Sequence, residues 1–304
     1  MDGGKMQLSK LAKMDDPRAV MAEVRTIVWM MWPDFDFQTV LGVFEDIVDL
    51  YGGRYPGYQA SNTRYHDLQH TTDALLAVTR LAHGAFIAKE CLSRENLGLA
   101  LVATLMHDTG YIQTDKETHG TGAQYTLNHV DRSIVFMDGY FSAHGFTREE
   151  FADASAMLHC TGLNVKIDQI CFSGPQVELL GKMLGTADLL GQMGDRTYLE
   201  KLLYLFYEFV EAGIGGYGTE LDLLEKTIDF YELTQQRLSR DLGGVTRFLP
   251  VHFAARFGVE KDMYSDSIQK NMRYLKHLLQ NRRKDYRLGL RRSGIVRDLE
   301  KEGL

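Results

Sequence analysis

Proline is scarce in this chain, 5 in 304 residues, and cysteine is scarcer still, with 3. Few prolines leave long stretches free of the residue that breaks an α-helix. The cysteines, Cys91, Cys160 and Cys171, form no C-x-x-C pair and leave one unmatched, so reduced thiols in a cytoplasm are expected rather than a disulfide framework. Long hydrophobic runs are missing too. Leu99 to Met106 is among the strongest, and it falls far short of the roughly 20 residues that cross a bilayer. The N-terminal stretch MDGGKMQLSKLAKMDD lacks the apolar centre of a signal peptide, so the expected location is the cytoplasm and no membrane partner is expected. Positive charge is in deficit: a net charge of −7 argues against stable nucleic-acid binding. There is no repeat, no low-complexity tract, no Pro/Ser-rich linker and no run of alternating strand character.

What remains is helical. With 44% hydrophobic and 25% charged residues the composition is that of a folded globular chain. Helical periodicity predicts helices over about 17–31, 37–51, 67–83, 94–108, 122–138, 147–159, 175–190, 196–213, 219–241 and 261–284. Glycines, among them Gly84, Gly110 and Gly139, are read as breaks between them. The fold class is all-α, and residues 1–304 are expected to form one domain. Charge is uneven along it. From Lys270 to Leu304 eleven Lys/Arg face four acids, a segment of +7 behind a body of −14. Packing of this basic tail on the acidic body, away from any chemistry, is the expectation.

Histidines and aspartates carry the chemical signal. Leu97, Leu101, Leu105 and Asp108 share one face of a stretch that is apolar nearly all round, so Asp108 is expected to point into the core. An unpaired ionised carboxylate there costs on the order of several kcal/mol, and calls for a proton, a basic partner or a bound cation. Asp188 repeats the pattern with Val177, Gly181 and Leu184. Two inward acids without an inward Lys or Arg nearby favour a metal. Tyr65-His66-Asp67-Leu68-Gln69-His70-Thr71 places two histidines one helical turn apart, facing a common cavity. His119, between glycines in a loop, is a weak candidate for touching substrate, whereas His83, His144, His252 and His277 look ordinary.

The motifs YHDLQHT (65–71), LMHDTGY (105–111) and GTADL (185–189) resemble those of the HD-domain metal-dependent phosphohydrolases, and within them the class I cyclic nucleotide phosphodiesterases. The resemblance covers about residues 60–190, and implies an HD-type helical bundle around that metal-binding core, with added helices at the N-terminus and, with the basic tail, over 191–304. It implies His66 as proton donor and His70, His107, Asp108 and Asp188 as ligands of a first metal. A second metal would be held by His129 and His159 and bridged to the first by Asp108. The family's phosphodiesterases continue H-D-x-D-H, whereas this chain reads His107-Asp108-Thr109-Gly110-Tyr111. The cyclic-dinucleotide branch carries a double histidine and a G-Y-P signature. Here the first is His159-Cys160 and the second is absent, so cyclic di-GMP is not favoured. Related phosphodiesterases clamp a purine between a glutamine and an aromatic, which makes Gln269, Phe253 and Phe257 weak substrate-binding candidates.

The expected function is hydrolysis of a small phosphoester, a nucleotide and in particular a cyclic nucleotide phosphodiester. Two divalent ions, zinc, manganese, magnesium or iron, would activate a bridging water and neutralise phosphate oxygens. Asp108 joins His66 in the catalytic set, and Asp67 or a nearby acid would orient the His66 ring. Two readings stand beside it: a mixed-valence di-iron oxygenase with the same ligand order, and a nucleotide-sensing module with a degenerate site. Assembly as a homodimer is left open.

Overall fold

A computed structural model describes residues 6–304, so the first five residues of the polar N-terminus lie outside it. Thirteen α-helices run through the described residues: α1 (Pro17–Met31), α2 (Gln38–Tyr51), α3 (Leu68–Ile87), α4 (Arg94–Met106), α5 (His129–Ala143), α6 (Arg148–His159), α7 (Pro175–Gly194), α8 (Tyr198–Glu211), α9 (Glu220–Gln236), α10 (Phe248–Phe257), α11 (Met263–Asn281), α12 (Tyr286–Gly289) and α13 (Ile295–Glu302). The one β pairing among these residues is an isolated bridge between Tyr58 and Thr114. The fold is all-α. No helix among the described residues is long and apolar enough to cross a membrane.

α3 is the centre. Asp67 caps its start, its Oδ1 accepting from the His70 N–H at 2.8 Å. Sixteen of its 20 residues are buried, because α1, α4, α7 and α10 pack around it. A helix without a solvent face must satisfy its polar residues inside, and α3 carries His70, Asp73, Arg80 and His83 in that position. Gly84, expected to end a helix, lies within α3 instead. A Cβ there would collide with the Phe248 carbonyl oxygen, so the glycine lets α10 cross in backbone contact.

Other boundaries also differ from expectation. The predicted helix 122–138 divides into a short 3₁₀ turn (Gly122–Tyr125) and α5, which passes through Gly139 to Ala143. α4 stops at Met106, leaving His107 and Asp108 in the tight turn beyond it rather than on the helix. His66 precedes α3 by two residues and is not helical. None of the expected helices covers α10, α12 or α13.

The basic tail packs on the acidic body. Glu220 receives the Arg287 guanidinium through two bonds, at 2.7 and 2.8 Å. Glu200, 2% exposed, accepts from the Arg292 N–H and from both the N–H and hydroxyl of Ser293. Arg283 pairs with Glu225, and Glu302 closes a two-bond pair with Arg64.

Candidate metal centre

The turn after α4 is held from α5. The Gly110 N–H donates to Ser133 Oγ at 2.8 Å, the Ser133 hydroxyl donates to the His107 carbonyl at 2.7 Å, and Arg132 Nε donates to the Gly110 carbonyl at 2.7 Å. Gly110 is required because a Cβ would strike the His129 carbonyl. This close approach explains the glycine in H-D-T-G and brings the start of α5 beside Asp108.

His70, His107 and Asp108 form a buried group whose ligand atoms lie within 4.8 Å of one another and can hold a metal ion. His70 Nε2 stands 3.3 Å from His107 Nε2 and 3.2 Å from Asp108 Oδ2, and His107 Nε2 is 3.4 Å from the same oxygen. From α7, Asp188 Oδ1 comes within 3.1 Å of His70 Nε2 and 3.8 Å of His107 Nε2. Ligand atoms about 2.0–2.2 Å from one tetrahedral ion sit roughly 3.3–3.6 Å apart, close to this spacing.

The chemistry of the donors fits a cation as well as their spacing does. His107 Nδ1 is 2.7 Å from the Thr104 carbonyl, and His129 Nδ1 is 2.8 Å from the Thr126 carbonyl. Each carbonyl takes the Nδ1 proton and leaves the Nε2 lone pair free, the arrangement that fixes a ligating imidazole. Asp108 Oδ2 is buried without a hydrogen-bond donor. Burial pulls the His70 pKa down, but the Asp108 and Asp188 carboxylates outweigh it and push it up to about 10. Burial also raises Asp108, yet His107 and His70 overcome it and hold its carboxyl well below the usual carboxylate range. The pocket demands positive charge. A second layer orients it: Gln192 donates to Asp188 Oδ1 at 2.9 Å and accepts from the Tyr65 hydroxyl at 3.0 Å.

Beside this group lies His66. Its Nδ1 is 2.7 Å from Glu208 Oε2, while Glu208 Oε1 accepts the Arg64 and Tyr65 N–H groups at 2.8 and 2.7 Å. Burial lowers the His66 pKa, and Glu208 more than compensates, raising it. The Tyr111 ring stacks on His66 at 4.2 Å and on His129 at 4.6 Å.

Several sequence expectations shift here. Glu208, not Asp67, orients His66; Asp67 is occupied as the α3 cap. His129 Nε2 lies 3.7 Å from Asp108 Oδ1. His159 is not brought to the group. It ends α6 and lines a cavity of about 640 Å³ with Ser155, Asn164, Lys166 and Cys171, and no hydrogen bond or ion pair among the described residues joins it to Asp108 or His129. His119 is an exposed loop residue whose backbone carbonyl accepts from Gln113 and Gln124. Phe253 is wholly buried against Phe257 and Tyr264, and Gln269 is exposed on α11, so these three form no base clamp. Glu208, Tyr111 and Gln192 were missed. Glu208 did leave a trace, as the one acid in the otherwise apolar and aromatic run Leu202–Val210.

No curated protein and no solved structure matches the chain. The model of one family, described as Npun_R2479-like, matches residues 44–239, a span that holds α3, the turn after α4, α7 and Glu208. By that match over more than half its length, the chain belongs to the Npun_R2479-like family.

Proposed function

We propose that the chain is a metal-dependent phosphohydrolase acting on a nucleotide phosphodiester, with His66 as its general acid. The observation that carries the reading is the pairing of two differently built histidine settings in one pocket. His70 and His107 converge with Asp108 on a point that calls for a cation, whereas His66, its ring centre 6.0 Å from that of His70, is tied through Nδ1 to a buried carboxylate and leaves Nε2 free of that bond.

His70, His107, Asp108 and Asp188 would hold one divalent cation firmly. A second would rest on Asp108 Oδ1 and His129 alone among the side chains, since His159 is elsewhere. Such cations lower the pKa of water and neutralise phosphate oxygens. The protein's own part is proton transfer. Glu208 accepts a hydrogen bond from the His66 Nδ1–H and favours the charged imidazole, so Nε2 carries a proton to give to the departing alkoxide oxygen. Tyr111, stacked on His66, keeps the ring from turning, and its buried hydroxyl stands 3.4 Å from Nε2.

The test compares leaving groups. His66→Ala should lose roughly 10²–10⁴ in turnover on a cyclic nucleotide, which leaves as an alkoxide, and much less on a nitrophenyl ester, which leaves as a stabilised phenolate. Metal content should not change. Equal losses accompanied by lost metal would make His66 a ligand. Oxygen uptake by the iron-loaded chain without phosphoester hydrolysis would move the site to an oxygenase.

A further inference from the structure

Further along α3 from His70, where α10 packs on it, the two helices carry a buried basic group. Arg80 and His83 lie three residues apart on α3, and His252 and Arg256 four apart on α10, so each pair shares a helix face. The faces meet where His83 Nδ1 and His252 Nδ1 stand 3.0 Å apart. Arg80 and His252 are fully buried, each at 0% exposure.

Several donors of this group have no partner. Arg80 spends Nη1 on the Tyr264 hydroxyl at 2.9 Å, while its Nε and Nη2 have no partner. His252 Nε2 and Arg256 Nε are buried and unpartnered as well. Arg80 lies 5.6 Å from the ring centres of both Phe253 and Tyr264, which offers partial compensation through their π faces and no net charge. No carboxylate among the described residues bonds Arg80. Glu23 of α1 reaches Arg256 Nη2 at 3.3 Å and is the one acid bonded to the group.

Charge then decides the occupant. Burial, helped by Arg256, holds His83 down to about 4, and burial with Arg80, His83 and Arg256 holds His252 down to about 2, so both imidazoles are neutral. Burial raises Tyr264, which stays a neutral phenol. Arg256 is partly exposed and paired with Glu23, so the uncompensated charge is that of Arg80, fully buried with no carboxylate bonded to it, a costly state without a counter-ion. The backbones of α3 and α10 touch at Gly84 and Phe248, a packing that leaves no room for an occupant as large as a phosphoester.

We infer that the seam between α3 and α10 binds one small monovalent inorganic anion of the chloride class, held by Arg80 and His252. The anion fixes the histidine pair: His252 Nε2–H donates to it, and His83 Nδ1–H donates to His252 Nδ1. The site is independent of the phosphohydrolase reading.

Chloride is titrated into the full chain in sodium gluconate at constant ionic strength, and thermal unfolding is followed. Gluconate is too bulky for the seam. A saturable rise in Tm is expected, and at a hundredfold excess over the dissociation constant the folding equilibrium should move about 100-fold. Arg80→Met should not respond to chloride. No chloride-specific rise in the wild type, or an equal rise in Arg80→Met, overturns the site. Should Arg80→Met fail to fold, wild-type crystals grown in bromide decide. An anomalous peak within hydrogen-bond reach of Arg80 and His252 supports the anion, and a seam filled by water overturns it.

Discussion

Glu208 serves three donors at once, two backbone N–H groups and the His66 ring, and so fixes both the path of residues 64–66 and the proton on the imidazole. Glu208→Gln keeps an oxygen for the two N–H groups and loses the charge that holds His66 protonated. Turnover on a cyclic nucleotide should fall about 10- to 100-fold, less than for His66→Ala, with metal content intact. Loss of metal in that variant would give Glu208 a purely structural role. A second residue-scale expectation concerns pH. His83 and His252 take up protons less readily folded than unfolded, so the unfolded chain binds more protons below its pKa of about 6.5. Their contribution is present above that pH and is lost as pH falls toward 4. His252→Leu should therefore flatten the decline in Tm between pH 6.5 and 4, and an unchanged slope would remove the pair from the acid response. At this scale the sequence brought out the residues that could hold a metal, because an acid at the end of an apolar helix is conspicuous even though Asp108 lies in the turn just beyond it. His83 and His252 were not conspicuous: their meeting depends on two helices crossing, which no spacing along one helix records.

Among the elements, the C-terminal segment is integral to the body rather than appended to it. Glu200 and Glu220, 2% and 4% exposed, have partners in residues 286–293. Removing one partner of a buried charge costs on the order of 3–5 kcal/mol. Truncation after Gln280 should therefore strip the protein of its cooperative thermal transition. By contrast Glu302→Ala breaks a half-exposed ion pair with Arg64 and should change stability by no more than about 1 kcal/mol. Circular dichroism melts of the two variants check both expectations. Most helices were legible from periodicity and caps, as with Asp16 and Pro17 opening α1 or Thr147 and Glu150 closing a capping box at α6. α10 was hidden because Pro250 falls within it, yet a proline in the first turn removes no needed hydrogen bond. The division of 122–138 was hidden because the turn is held from outside, by Asn62 and Glu211 rather than by its own pattern.

For the molecule as a whole, buried apolar residues from Leu8 to Leu299 join in one core, and its buried polar residues include the candidate metal group, the α3–α10 seam and the acids that hold the C-terminal segment. Chemical accessibility reads out that division. Cys91 and Cys171 are exposed, whereas Cys160 is buried and burial pushes its thiol up to about 12. Two thiols per native chain should react with a small maleimide, and the third only on unfolding; three fast thiols would mean that α6 and α7 are not packed as described. The centre itself is tested most directly by elemental analysis of chain purified without chelator, wild type beside Asp108→Ala. One firmly held divalent metal per wild-type chain, absent from Asp108→Ala at unchanged helical content, is the expected result. A wild type that holds no metal under any divalent loading, or an Asp108→Ala chain that keeps its metal, would contradict the assignment of His70, His107, Asp108 and Asp188 as a metal centre.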